Sequence, residues 1–222
     1  MPDELRGRLK QFPPGMLRLE VGIQTFNREA AARINRKQDY DRSMENLSFL
    51  VTRTHAVIHA DLIAGLPGED MNSFGSGFNR LWDLLKQPGT GSSAELQLGI
   101  LKYLPGTTLG RHIDEWNMEF SPEAPYELHS SASISAEDMQ RISRAAKYWE
   151  LVVNRGRYPR EVSRLFPPGG DSFASLMALG DYLYSHLGRT WGIDAGHMAG
   201  LLNEFSREGD SPAGRAFSGQ IS

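Results

Sequence analysis

The stretch AVIHADLIA (residues 56–64) decides how this chain folds. In an extended strand Ile58, Ala60, Leu62 and Ala64 fall on one face, and Val57, His59, Asp61 and Ile63 on the other. LRLEVGIQ (17–24) before it alternates in the same way, with Leu17, Leu19, Val21 and Ile23 opposing Arg18, Glu20, Gly22 and Gln24. ELQLGILK (95–102) after it places Leu96, Leu98 and Ile100 against Glu95, Gln97, Gly99 and Leu101. Helical patterns lie between the strands. Tyr40, Met44, Leu47 and Val51 form one face of a helix over 40–53, and Phe74, Phe78, Leu81, Trp82 and Leu85 one face of a helix over 72–86, with Asn72 as its expected cap. Strands joined by crossovers of this length are expected to run parallel and right-handed.

Parallel sheets usually have both faces covered and then read as continuous apolar runs. Here every strand has a polar face, so helices are expected on one side and something wet or bound on the other. A barrel lumen meets that condition. The competing arrangement is an open antiparallel sheet with a solvent face, against which the intervening helices speak. The expected class is therefore α/β: the C-terminal half of a parallel (β/α) partial TIM barrel, followed by an all-α helical domain. The expected division is a half-barrel over 1–111, a connecting loop over 112–134, a helical domain over 135–207 and a disordered tail over 208–222. Helices are expected from Ser135 with an Asp138 capping partner, over 172–187 and over 193–205.

Composition narrows the function. The 222 residues are 40% hydrophobic and 23% charged, with a net charge of −3, which is ordinary for a soluble globular chain and gives no broad basic surface for nucleic acid. No apolar run approaches the ~20 residues of a membrane span. Residues 1–10 are mostly polar and show no signal-peptide pattern, so a cytoplasmic location is expected. There is no cysteine, which excludes disulfides, cysteine nucleophiles and any iron–sulfur cluster held by this chain's own thiolates.

In a parallel α/β barrel ligands sit at the C-terminal strand ends. Gln24, Asp61, Ile63 and Lys102 lie at or near those ends, and Arg36 follows the first strand. A carboxylate can accept from both ribose hydroxyls, an apolar side chain can lie along a purine, and a guanidinium can hold a carboxylate through two hydrogen bonds. Together these suit a nucleoside that carries an amino acid, and no GxxxxGK[ST] loop is present for a triphosphate. Taken alone, Gln24 and Asp61 equally fit buried polar groups that link strands. His59 fits a hydrogen-bonded residue of the polar face, and Glu20 and Glu95 fit partners of Arg18.

The segments LEVGIQTFNREAAARINRKQ (19–38), HADLIAGLPGE (59–69) and LQLGILKYLPGTTL (96–109) resemble the second half of the radical S-adenosylmethionine (SAM) core. The resemblance is closest to the branch of the oxygen-independent coproporphyrinogen III oxidases and the cobalamin-binding radical SAM proteins. Gln24 and Arg36 are twelve positions apart, and Gln24 and Asp61 thirty-seven, in the order and spacing of that branch's SAM ligands. The resemblance implies that Gln24 and Asp61 hold the ribose, Arg36 the methionyl carboxylate and Ile63 the adenine. Glu69 falls one position late for the family's adenine motif and receives no role. The family's CxxxCxxC loop, which binds a 4Fe-4S cluster, has no counterpart. The resemblance thus implies the C-terminal, SAM-binding part of a longer parent. The cluster and a cobalamin would belong to that parent and not to this chain, which is expected to be inactive alone.

The expected partners are an unidentified small-molecule substrate and either a missing N-terminal half or a second copy joined through exposed sheet edges. No membrane or nucleic-acid partner is expected. The alternative is a non-enzymatic interaction module built on a half-barrel. A hydrolase using Asp61 and Glu20 is the weaker third option, because no metal or nucleophile motif supports it.

Overall fold

The computed structural model describes residues 1–87 and 93–210, and the chain divides into two compact units, Met1–Ser143 and Arg144–Ser222. Most of the tail expected to be disordered lies outside the described residues.

The first unit opens with α1 (Asp3–Leu9), β1 (Arg18–Gln24), α2 (Arg28–Arg33) and α3 (Tyr40–Arg53). It continues with β2 (Val57–Ala64), α4 (Met71–Leu85) and β3 (Ser93–Ile100). The three strands form one sheet in the order β1-β2-β3, and both pairings are parallel. The register aligns Val21 with Ala60 and Leu96 in one row, and Glu20 with His59 and Glu95 in the next. Ile23, Ile58, Ala60, Leu62, Ala64 and Leu96 are buried, as are Leu47, Leu50 and Val51 of α3 and Phe74, Phe78, Leu81 and Trp82 of α4. The expected α/β arrangement with parallel strands is therefore present. The sheet has three strands and does not close into a barrel among the described residues.

Local chemistry sets the helix starts. Asp39 caps α3 by accepting from the Arg42 amide. The cap of α4 is Asp70, which accepts from the Ser73 amide at 2.8 Å, and not the expected Asn72. Asp70 is the extended residue before the first turn, whereas Asn72 already lies inside it, where its side chain cannot reach forward to a free amide. After β3 come a 3₁₀ turn (Thr108–His112) and, within the stretch read as a connecting loop, a small antiparallel pair, β4 (Glu119–Phe120) with β5 (Leu128–Ser130). Strands this short leave no periodic signature. The Leu128 amide donates to Leu101 O at 2.8 Å, so the hairpin covers the end of β3.

Helix α5 (Ala136–Trp149) begins as expected: Ser135 Oγ accepts from the Asp138 amide and donates to Asp138 Oδ2. It passes into a π-helical turn (Glu150–Asn154). The second unit continues with α6 (Pro159–Leu165), α7 (Ser172–Leu187) and α8 (Ala195–Asp210). Its core holds Tyr148, Trp149, Val152, Phe166, Leu176, Leu179, Leu183 and Leu202, all buried. A Cβ on Gly180 would come within 3.2 Å of Ala145, so α7 approaches α5 closely there. No helix among the described residues is long and apolar enough to cross a membrane.

Phe78 is fully buried on the helical layer of the first unit. Its replacement by Ala is expected to lower unfolding free energy by about 3–5 kcal/mol in urea titrations.

Candidate functional site

The polar face of the sheet is built around Gly22. Opposite it in register stands Asp61, and opposite Asp61 stands Gln97. Between Gly22 and Gln24 the register slips, and Gln24 takes a left-handed backbone with φ 67°. A non-glycine residue in that region carries strain of order 1–3 kcal/mol and persists only where its surroundings enforce it. The turn re-aims the Gln24 side chain, whose Nε2 lies 3.8 Å from the position a Gly22 Cβ would occupy. Arg36 Nη2 lies 3.6 Å from the same point. The amide and the guanidinium thus meet over a position that has no side chain.

Arg36 is held from behind. Its amide donates to Ala31 O at the end of α2, its Nε donates to Gln38 Oε1 at 2.9 Å, and its Nη2 donates to Gly22 O. It stands in the wall between two clefts. One, of about 630 Å³, runs along Val21, Gly22 and Ile23 and is floored by Leu47 and Leu50. The other, of about 390 Å³, is lined by Arg28, Arg36, Lys37 and Tyr40 and has a predominantly cationic wall, with Asp39 its single carboxylate.

Asp61 is half-buried, and its Oδ1 has no hydrogen-bond partner among the described residues. Burial pushes its carboxyl above the ordinary range, Glu20 adds to the rise, and His59 opposes it. A buried acceptor without a donor is uncommon in native proteins and marks where a ligand hydroxyl could donate. Ile63 lies one pleat further along the same face, opposite Gly99, where a Cβ would meet nothing closer than 3.6 Å. His59 Nδ1 sits 3.0 Å from Glu95 Oε2 and 2.8 Å from Gln97 Nε2. Glu95 therefore has His59 as a partner on this face. Lys102 reaches Glu127 at 4.0 Å.

A buried ring of hydrogen bonds sits directly behind Gln24. Thr25 Oγ1 donates to Glu69 Oε1 at 2.6 Å and accepts from the Asn27 amide at 2.8 Å. Asn27 Nδ2 donates to Ser73 Oγ, and Ser73 Oγ donates to Glu69 Oε1 at 3.3 Å. Asn27 Oδ1 also caps α2 through the Glu29 and Ala30 amides. Glu69 is 1% exposed, and burial pushes its carboxyl up to about 7 against the lowering effect of the two hydroxyl donors. Sequence reasoning missed this residue. No spacing or periodicity marks it: Glu69 lies past the end of β2 in the GLPGE turn, and its partner Thr25 is distant in the chain.

The turn is fixed a second time from outside. Arg33 donates to Pro67 O and stacks over Trp116 at 4.6 Å, while Arg33 O accepts from Arg111 Nη2 at 3.0 Å and lies 2.8 Å from His112 Nε2. A Cβ on Gly68, at φ +76°, would fall 2.5 Å from Arg33 Nη1 and 2.7 Å from Trp116. Only glycine suits that position. His112 is buried in this network, with Nδ1 3.1 Å from Glu115 Oε2.

The chain is similar to known proteins in two comparisons. Residues 114–209 match the model of DUF4080, a family described as a protein of unknown function. The chain is also similar to anaerobilin synthase of Escherichia coli O157:H7, with 30% identity over 153 residues. That alignment covers 64% of this chain and 33% of the synthase, so the chain spans about a third of the length of the relative it matches.

Two outcomes follow from the buried ring and the glycine turn. The native state retains a proton on Glu69 that the unfolded chain releases near 4.5, so stability is full below that value and falls as pH rises to about 7. At ~1.4 kcal/mol per unit the loss is about 3 kcal/mol, and Glu69→Gln is expected to flatten that slope in denaturation at a series of pH values. Gly68→Ala is expected to cost more than about 1 kcal/mol, read as a lowered Tm.

Proposed function

We propose that the first unit provides the nucleoside and carboxylate contacts of an S-adenosylmethionine site, as part of a radical SAM enzyme. The observation that carries this reading is the meeting of the Gln24 amide and the Arg36 guanidinium over Gly22, with Asp61 opposite in register and its Oδ1 unpartnered among the described residues. The resemblance of the strand-end motifs to the radical SAM core and the similarity to anaerobilin synthase support it.

The residues fit the ligand by chemistry. Asp61 Oδ1 accepts from the ribose and the Gln24 amide completes that contact. Ile63 lies along the adenine, for which Gly99 leaves room. Arg36 takes the methionyl carboxylate from the side of the cleft shared with Arg28 and Lys37. In radical SAM enzymes the bound cofactor supplies a 5′-deoxyadenosyl radical. This chain's own part is to hold and orient the nucleoside. The cluster does not fit this chain: it has no cysteine, and among the described residues no group of three or more His, Asp or Glu is placed to hold a metal ion. The thiolates, and any cobalamin, belong in this reading to another polypeptide segment that packs beside β1. A small-molecule substrate and a cytoplasmic setting complete the proposal.

A non-enzymatic binding module is the second reading, favoured by the lack of thiolates. Calorimetric titration with SAM separates the two. The proposed site binds SAM, and Asp61→Ala and Arg36→Ala each weaken it by about tenfold or more, the effect of removing one hydrogen bond to a charged group. Affinity unchanged by both substitutions, or no binding by the parent chain, rejects the nucleoside site.

A further inference from the structure

One buried carboxyl in the first unit has no part in the ligand contacts proposed above. Glu69 is 1% exposed, takes two hydroxyl donors on Oε1 and has no partner for Oε2 among the described residues. The groups it joins come from four places: Thr25 from the end of β1, Asn27 from the cap of α2, Ser73 from the first turn of α4, and Glu69 itself from the turn after β2. Three of the four lead to a site residue. Thr25 follows Gln24 directly, and its amide returns to Ile23 O at 2.9 Å, which closes the tight turn around Gln24. Asn27 starts the helix whose far end is followed by Arg36. The turn bearing Glu69 leaves the strand that carries Asp61 and Ile63.

We propose that Glu69 is the positioning residue of the candidate nucleoside site: its carboxyl ties the stretches that present Gln24, Arg36 and Asp61 into one frame and so sets ligand affinity without touching the ligand. This rests on the SAM reading given under Proposed function. Burial disfavours ionisation of this carboxyl and the two hydroxyl donors on Oε1 favour it, burial being the larger effect. An ionised carboxylate draws water toward Oε2, which has no donor among the described residues, and that water loosens the frame. The charged and titratable groups around it are Asp70 on the adjoining cap, which disfavours ionisation, and Tyr40 on α3, whose buried hydroxyl is also unpartnered among the described residues. Arg28, Arg36 and Arg80 act on Tyr40 in turn.

The test uses the full chain, SAM as the probe and four single variants. Thr25→Val and Glu69→Ala are expected to weaken SAM binding by about tenfold, and the double variant no further than the weaker single, because both break one ring. Glu69→Gln and Thr25→Ser retain the acceptor and the hydroxyl and are expected to bind like the parent. Parent affinity is expected to fall severalfold from about pH 6 to about pH 8, and Glu69→Gln to remove that dependence. Hydrogen exchange on the ligand-free chain gives an independent readout. Amides of residues 25–30 exchange faster in Thr25→Val and Glu69→Ala, while those of β2 and β3 do not. Equal losses in the conservative variants, a pH profile that survives Glu69→Gln, or unchanged exchange at 25–30 overturns the positioning role. A parent chain that fails to bind SAM but shows the expected exchange pattern overturns the SAM reading and leaves the frame standing.

Discussion

A parallel sheet that buries one face and presents the other is the constraint on which the rest of the first unit depends. Ile58, Ala60, Leu62 and Ala64 lie under helices, which fixes the register of β2 against both neighbours. A slip of one residue would drive His59 and Asp61 into the apolar layer. The same register puts Asp61 beside Gly22 and Ile63 beside Gly99. Core packing and the proposed ligand contacts thus rest on one pairing, and each glycine clears the floor next to a side chain proposed to meet the ligand.

The polar side of the sheet is not a passive solvent face. It carries Glu20, Asp61 and Glu95 with His59 among them, and burial keeps the Asp61 carboxyl above its ordinary range. Such a face welcomes hydroxyl and amino donors and disfavours carboxylates. Arg36 stands at the edge of this face over Gly22, and Arg28 and Lys37 continue the positive charge along the cleft past the end of β1. The proposed ligand, with hydroxyls at one end and a carboxylate at the other, would meet that change of sign along its length.

Much of this was legible in the residues. Period-two alternation located all three strands, and the i, i+4, i+7 spacing of Tyr40, Met44 and Leu47 located α3, because burial leaves a direct trace in apolar periodicity. The Gln24 and Arg36 meeting was legible only through resemblance, since residues separated by a helix converge through backbone geometry that spacing does not encode. Glu69 and His112 were not legible. A buried polar residue is defined by the partners it finds, and Thr25, Ser73 and Arg33 are distant in the chain. The cap of α4 at Asp70 was missed by two positions because Asp and Asn both cap well and only the backbone angles choose between them.

Arg36 does more than present a charge. A guanidinium carries five N–H groups in one plane. One goes to Gln38 and one to the Gly22 carbonyl, where the strand register slips. Three remain, enough for a two-pronged grip on an anion. The side chain can therefore finish the rim of the sheet and hold a guest simultaneously. A lysine there, with its single rotating ammonium, would have to choose between strand and guest.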